Sequence, residues 1–249
     1  MAESVVMFSG GACSFLAAHR WIQCGHKPVL LIADTGNEDA DLWRFVVDAA
    51  TFLQCELVKV SSGETWEQMI LRNKALPSDR MAYCSRDLKV KPSASWVNKN
   101  APTADLVFGL DATEIHRVER VRNLWPGHQC HFPMMDKPYL FKQAMLGEIR
   151  RFGLTPPRLY DLGYHHNNCS GGCVRNGLAA WRHHAKMNPE HFERMAQLES
   201  LIPGYSFTRR RSGAKEGQPY PLHELASELP SCDEELFDYG GCGCFVEEI

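Results

Sequence analysis

The stretch that decides the fold is Val5-Val6-Met7-Phe8-Ser9-Gly10-Gly11-Ala12-Cys13-Ser14. Its apolar beginning predicts a buried strand, its glycines predict a tight turn, and an apolar helical pattern follows at residues 15–18. Glycines let backbone N–H groups approach an anion, serine hydroxyls add donors, and a helix N-terminus carries positive charge. We therefore expect phosphate groups to bind to a loop made of Ser9, Gly10, Gly11, Cys13 and Ser14. The alternative is a purely structural turn, because such small-residue turns are common.

Strand and helix patterns alternate through the first half of the chain. Short apolar runs predict strands at 29–33, 56–60 and 106–110, and helical spacing predicts helices at 39–52 and 64–72. This alternation predicts an α/β fold with a doubly wound, mainly parallel, Rossmann-like sheet. Ligands of such sheets bind beyond the carboxyl ends of the strands.

The second half of the chain differs in composition. A helix is predicted at 140–152, an irregular polar segment at 164–177, and a helical stretch at 178–201 with a break near Asn188-Pro189. The basic segment 208–218 is expected to be a mobile loop. We therefore predict a nucleotide-binding domain at 1–155 and a Cys/His-rich, helical C-terminal region at 156–249.

The overall composition excludes several classes of protein. The 249 residues contain no apolar run of the roughly 18 residues that a membrane span needs, and the N-terminus lacks the pattern of a signal peptide. The net charge of −3 gives no global attraction to nucleic acid. Ten cysteines without an export signal do not predict a disulfide framework. We expect a cytoplasmic protein without a membrane partner.

Four further segments resemble motifs of one enzyme family. They are Asp34-Thr35-Gly36-Asn37-Glu38, the segment 84–92 that begins Cys84-Ser85-Arg86, the segment 109–117 that begins Gly109-Leu110-Asp111, and Leu159-Tyr160-Asp161-Leu162-Gly163-Tyr164 leading into Cys169. With the glycine loop, which resembles the SGGxDS loop of PP-loop proteins, they occur in order over about residues 4–175. The chain is similar to the phosphoadenylyl-sulfate reductase-like family of the PP-loop adenine nucleotide alpha-hydrolases.

The resemblance implies a binding site for ATP or an adenylyl sulfate, with Mg²⁺ as a natural helper. Catalytic roles then fall on Asp34, Lys89, Arg86 and Arg117. The implied nucleotide contacts are the glycine loop with Asp34, Thr35, Gly109 and Asp111. Asp34 also has a structural alternative, because its side chain would cap the turn that follows it.

The cysteines divide into several groups. Cys24 and Cys55 are expected to be buried free thiols, and Cys130 is expected in a loop. Cys13 is either a small packing residue or a thiol whose pKa is lowered by the helix N-terminus. The remaining candidates are metal ligands for a [4Fe–4S] cluster, with zinc as the alternative: Cys84, Cys169, Cys173, Cys242 and Cys244. Cys84 joins them because its family counterpart ligates iron.

The sequence is compatible with three functions. The leading hypothesis is an ATP-dependent enzyme that adenylylates a substrate with release of pyrophosphate, as part of sulfur transfer to a nucleobase or nucleic acid. Arg209, Arg210, Arg211 and Lys215 would then contact phosphates, unless they form a solvated loop. The second is an adenylyl-sulfate or phosphoadenylyl-sulfate reductase that forms sulfite. The third is a non-catalytic nucleotide-binding subunit of a modification or defence complex, which is favoured by Cys13 in place of the usual aspartate. A homodimer is compatible with each.

Overall fold

The computed structural model describes residues 2–78, 81–210 and 217–227. Within them, five parallel strands form one sheet in the order β3-β2-β1-β4-β5. These strands are β1 (Ser4–Met7), β2 (Val29–Asp34), β3 (Leu57–Ser61), β4 (Asp105–Phe108) and β5 (Cys130–His131). Helices connect them and cover both faces, so the predicted doubly wound α/β fold is confirmed.

Helices are present at each predicted position, and others were not predicted. They are α1 (Ala12–Gln23), α2 (Ala40–Leu53), α3 (Trp66–Asn73), α4 (Tyr83–Ser85), α5 (Lys91–Asn100), α6 (Val118–Leu124), α7 (Lys142–Arg151), α8 (Arg158–Asp161), α9 (Leu178–Met187), α10 (Pro189–Ser200) and α11 (Leu222–Ser227). Asp39 caps α2, since its carboxylate accepts a hydrogen bond from the Asp41 N–H at 2.9 Å. Thr65 and Gln68 form a capping box at the start of α3.

The sheet separates two hydrophobic cores. On one face α1, α2 and α7 pack together through residues such as Phe15, Phe45 and Met145. On the other face α5 and α6 pack through Val97 and Val121. Strands β1 and β2 are apolar on both faces because helices cover both, as in other parallel sheets.

A third core lies in the C-terminal part. Trp66, Met69, Trp181 and Phe192 pack there with other side chains of α3, α9 and α10. The predicted break of the long helical stretch is confirmed, because Asn188 separates α9 from α10. The prediction of a mobile loop at 208–218 is wrong for its described residues. They form the antiparallel strands β6 (Thr208–Arg210) and β7 (Gln218–Tyr220), while Arg211 and Lys215 lie outside the described residues.

Two expectations about single cysteines are wrong. Cys24 is exposed, because it is the C-cap of α1 and lies where that helix leaves the core. Cys130 belongs to the short edge strand β5 and not to a loop. Cys55 is half-buried.

The order in which successive strands are added to the sheet reverses at β1. From β1 the chain passes to β2 and β3 on one side, and then returns to β4 and β5 on the other. Ligands of such sheets bind at this reversal, beyond the carboxyl ends of the strands. No helix among the described residues is long and apolar enough to cross a membrane.

Candidate active site at the carboxyl edge of the sheet

The glycine loop between β1 and α1 has the backbone of a tight turn. Gly10 has a φ of +71°, a left-handed conformation that favours glycine. The hydroxyl of Ser14 accepts hydrogen bonds from the N–H and the hydroxyl of Ser9, at 3.3 and 3.1 Å. It donates to the carbonyl of Gly11 at 3.0 Å. The two serines therefore close the loop on itself, and Ser14 is buried.

The end of β4 packs directly against this loop. A Cβ atom at Gly109 would lie 2.5 Å from Cα and 2.6 Å from N of Ser14. Only a residue without a side chain allows so close an approach of two backbones. Gly109 therefore sets the separation between β4 and the N-terminus of α1 at the reversal point.

Two side chains from the C-terminal half hold the loop from outside. The backbone N–H of Ala12 donates to the Tyr160 hydroxyl at 3.2 Å, and the Asn167 side-chain amide donates to the Gly10 carbonyl at 3.3 Å. The side-chain oxygen of Asn167 is buried and has no hydrogen-bond partner among the described residues. Residues around 160–167 thus complete the loop, although they lie about 150 positions further along the chain.

Ion pairs fix the short helix that carries Tyr160. The Arg158 guanidinium binds both carboxylate oxygens of Asp39, at 2.9 and 2.7 Å, and the Arg158 N–H donates to Asp41 at 2.7 Å. Arg44 binds Asp41 and also donates to the carbonyls of Thr155 and Pro156. These contacts clamp the start of α8 to the start of α2.

The turn after β2 has an ordered polar structure. Asp34 accepts from the Gly36 N–H at 2.9 Å and forms an ion pair with Lys59 at 3.0 Å. Asp34 thus caps the turn that follows it, as its structural alternative predicted. Its catalytic role stays a prediction. The Thr35 hydroxyl accepts from the Asn37 N–H and donates to a carboxylate oxygen of Glu38, at 3.3 and 3.1 Å.

Glu38 connects several segments of the site. Its carboxylate lies 3.3 Å from the ammonium of Lys89, and both side chains are nearly inaccessible, with exposed fractions of 4% and 10%. The same carboxylate accepts from the Cys169 N–H at 2.9 Å. Lys89 lies in a single π-helical turn, Arg86–Val90, a local distortion that is frequent at functional sites. Glu38 therefore joins three of the motifs that the sequence analysis found separately.

A small, partly open pocket lies beside Lys89. Its lining includes Thr35, Trp66 and Ser85, the cations Lys89 and Arg175, and the three thiols of Cys84, Cys169 and Cys173. Cys169 and Ser170 both have a φ of +51°, which is uncommon for residues other than glycine. Such strained backbone is concentrated at functional sites.

The thiols of this pocket are in an apolar environment. Burial raises the pKa of Cys84 to about 12. A hydrogen bond with Cys173 and burial together raise the pKa of Cys169 well above its usual value. Among the described residues, no three His, Cys, Asp or Glu side chains are arranged to hold one metal ion. Cys242 and Cys244, the other predicted ligands, lie outside the described residues.

The remaining predicted site residues form ion pairs and caps around this edge. Arg86 binds the carboxylate of Asp87 at 2.9 and 3.1 Å. Asp111 caps the 3₁₀ helix Ala112–Arg117, where the guanidinium of Arg117 pairs with Glu114. The alternative of an activated Cys13 thiol is wrong, since burial raises its pKa to about 12.

A buried chain of hydrogen bonds connects the turn at Asn37 to α9 and α10. The Tyr164 hydroxyl lies 2.9 Å from Nδ1 of His184, Nε2 of His184 lies 2.8 Å from Nδ1 of His191, and Nε2 of His191 lies 2.9 Å from the Asn37 side-chain oxygen. Burial lowers the pKa of His184 to about 3 and that of His191 to about 4, so both rings are neutral at pH 7.

Sequence reasoning missed three residues of the site. Glu38 belongs to the motif 34–38 and Tyr160 to the motif 159–164, but neither motif indicates which residues these side chains contact. No sequence motif contains Lys142, because it lies in an ordinary amphipathic helix. The structure places its ammonium 5.6 Å from the centre of the Tyr160 ring.

Comparisons with known proteins concern the fold. No protein-family model matches the chain, and no curated protein matches it. A phosphoadenylyl-sulfate reductase from Candida auris, solved as a phosphate complex, is 16% identical, with 67% of this chain and 80% of that chain covered and a TM-score of 0.48. A predicted subunit of a tRNA methyltransferase from Methanocaldococcus jannaschii is also 16% identical, with 63% and 90% covered and a TM-score of 0.32.

Proposed function

We propose that this chain binds ATP and transfers its adenylyl group to a substrate, with release of pyrophosphate. The main support is the position of three motifs. The glycine loop, the turn at Asp34 and the Asp111 cap follow β1, β2 and β4, which are neighbours at the reversal point of the sheet. This is where doubly wound sheets bind their ligands.

The chemistry requires positioning and charge neutralisation more than acid–base catalysis. A substrate oxygen attacks the α-phosphorus, the bond from this phosphorus to the oxygen that bridges to the β-phosphate breaks, and pyrophosphate leaves. The N–H groups of the glycine loop other than those of Ser9 and Ala12, which are bonded to Ser14 and Tyr160, are the proposed phosphate donors. The Ser9 hydroxyl would join them by turning from Ser14 to the ligand. Arg86, Lys89 and Arg117 are proposed to neutralise charge, and Mg²⁺ would assist at the leaving phosphates.

We further propose a cysteine-ligated metal centre in the thiol pocket. Three of the predicted ligands, Cys84, Cys169 and Cys173, line that pocket. They are not arranged around one ion there, so metal binding would require their thiols to turn towards a common point. The cations Lys89 and Arg175 would offset the charge of metal-bound thiolates. A closed centre needs a fourth ligand, which we assign to Cys242 or Cys244. A [4Fe–4S] cluster is the preferred occupant, with zinc as the alternative, and would hold or transfer sulfur.

Replacing Cys173 with serine is expected to remove at least half of the bound metal, because a serine hydroxyl stays protonated and binds iron or zinc poorly. Iron and zinc are measured in the full chain after purification without oxygen. Cys24→Ser is the control, since Cys24 is exposed at the end of α1. Full metal content in Cys173→Ser would exclude Cys173 as a ligand.

The acceptor is proposed to be a nucleobase in a nucleic acid, with sulfur transfer after adenylylation. Arg209 and Arg210 are exposed on β6 and are the described part of the basic segment that would contact phosphates. The reductase alternative needs a free thiolate, which Cys242 or Cys244 would have to provide. The spacing Cys242-Gly243-Cys244 instead suits two ligands of a shared metal, so we prefer adenylylation.

The test is the product that the chain forms. With ATP and a mixture of unmodified tRNA or DNA, we expect pyrophosphate release that depends on the nucleic acid. With adenylyl sulfate or its 3′-phosphate and a thiol reductant, we expect no sulfite. Thiol-dependent sulfite release would contradict the proposal in favour of the reductase. Tight ATP binding without any turnover would instead favour the non-catalytic subunit.

A further inference from the structure

Lys142 is a cation beside the proposed nucleotide site, and the adenylyl-transfer mechanism gives it no role. It is the first residue of α7, which packs against α1 through the core that contains Phe15, Met145 and Leu146. This packing brings the start of α7 close to the start of α1, where the glycine loop lies. Lys142 is half-buried.

The Lys142 ammonium is connected to the loop through Tyr160. It lies 5.6 Å from the centre of the Tyr160 ring, and the hydroxyl of that ring accepts from the Ala12 N–H at 3.2 Å. The charge of Lys142 lowers the pKa of Cys13, although burial has the larger, opposite effect. The ammonium therefore acts electrostatically on the loop itself.

Lys142 forms no ion pair with another described residue. Among residues 2–78, 81–210 and 217–227, its ammonium has no hydrogen bond and no carboxylate within 4.0 Å. The nearby acids are committed elsewhere, since Asp111 caps the helix that follows it and Glu114 pairs with Arg117. Burial lowers the pKa of Lys142, but Tyr160, Cys13, Asp111 and Glu114 together raise it above its usual value. Lys142 is thus a charged, half-buried side chain whose ammonium N–H groups have no acceptor among the described residues.

The glycine loop lacks a cation of its own. Its residues, Ser9 to Ser14, offer N–H groups and hydroxyls but no positive side chain. A triphosphate carries several negative charges, and a lysine acts on them as a compact point charge. We propose that Lys142 contacts a phosphate group of the bound nucleotide and supplies the positive charge that the glycine loop lacks. This assignment rests on the proposed function.

The test separates the phosphates from the rest of the nucleotide. Binding of ATP and of adenosine to the full chain is measured by calorimetry for the wild type, Lys142→Met and Lys142→Arg. Lys142→Met is expected to weaken ATP binding by about 10- to 100-fold, the range for one lost charge-assisted hydrogen bond. Adenosine binding is expected to stay unchanged, which also shows that the variant is folded. Lys142→Arg is expected to keep most of the ATP affinity, because it keeps the charge.

Lys99→Met is the control, since Lys99 is exposed in the last turn of α5 on the other side of the sheet. It is expected to bind ATP as the wild type does. ATP affinity of Lys142→Met within twofold of the wild type would overturn the assignment of Lys142 alone. Failure of the wild type to bind ATP would overturn the proposed function, and the assignment with it.

Discussion

Replacing Gly109 with alanine is expected to abolish ATP binding and to lower the free energy of unfolding by about 3 kcal/mol, at the upper end of overpacking effects. The added methyl group would lie 2.5 Å from the Ser14 Cα and 2.6 Å from the Ser14 N. Both are backbone atoms, so no side-chain rotation can relieve the contact. The strand and the helix must separate, and the glycine loop moves with the helix.

The measurements are urea unfolding and calorimetric titration with ATP. Gly147→Ala is the control, because Gly147 lies within α7 and a Cβ there would meet nothing within 4 Å. An alanine in a helix is more stable than glycine by about 0.5–1 kcal/mol, so this variant is expected to be slightly stabilised. A Gly109→Ala protein with wild-type stability and ATP affinity would show that the loop does not depend on this close packing.

The alternation of strands and helices was predictable because its signals are local. The apolar run before Ser9 forms β1, the run that ends before Asp34 forms β2, and the helix between 142 and 151 lies inside its predicted range. The glycine loop was also predictable, since a left-handed turn at Gly10 leaves few other residue types. The close approach of Gly109 to Ser14 was not, because the two residues are distant in sequence.

Contacts between distant segments could not be predicted in the same way. Tyr160 reaches Ala12 across 148 positions, and the His191 ring reaches Asn37 across 154. Nothing in the sequence around either residue specifies its partner. The strands β6 and β7 were missed for a related reason, because three-residue strands pair with each other and leave no run with a clear period.

The sequence also did not predict which cations are committed to ion pairs. Arg86, Lys89 and Arg117 were all expected to bind phosphate or sulfate, and each lies beside a carboxylate in the structure, those of Asp87, Glu38 and Glu114. Lys142, in contrast, has no carboxylate within 4.0 Å among the described residues. The charge that a site offers to its ligand depends on such pairings, and these are set by the tertiary structure.

Replacing Glu38 with alanine is expected to lower the free energy of unfolding by about 3–5 kcal/mol, the cost of removing one partner of a buried ion pair. The ammonium of Lys89 would stay buried without its partner, and the N–H of Cys169 would lose its acceptor. The double variant Glu38→Ala/Lys89→Met removes the unpaired charge. It is therefore expected to be less destabilised than the sum of the two single variants.

Urea unfolding of the two single variants and the double variant measures this coupling. Glu64→Ala is the control, because the Glu64–Arg72 pair, 2.8 Å apart, is far more accessible to water, with exposed fractions of 27% and 55%. Its loss is expected to leave stability nearly unchanged, since solvent screens such pairs. Strictly additive effects of Glu38→Ala and Lys89→Met would show that the two charges do not stabilise each other. Glu38 would then act only as an acceptor for Thr35 and for the Cys169 backbone, and the turn after β2 would not depend on Lys89.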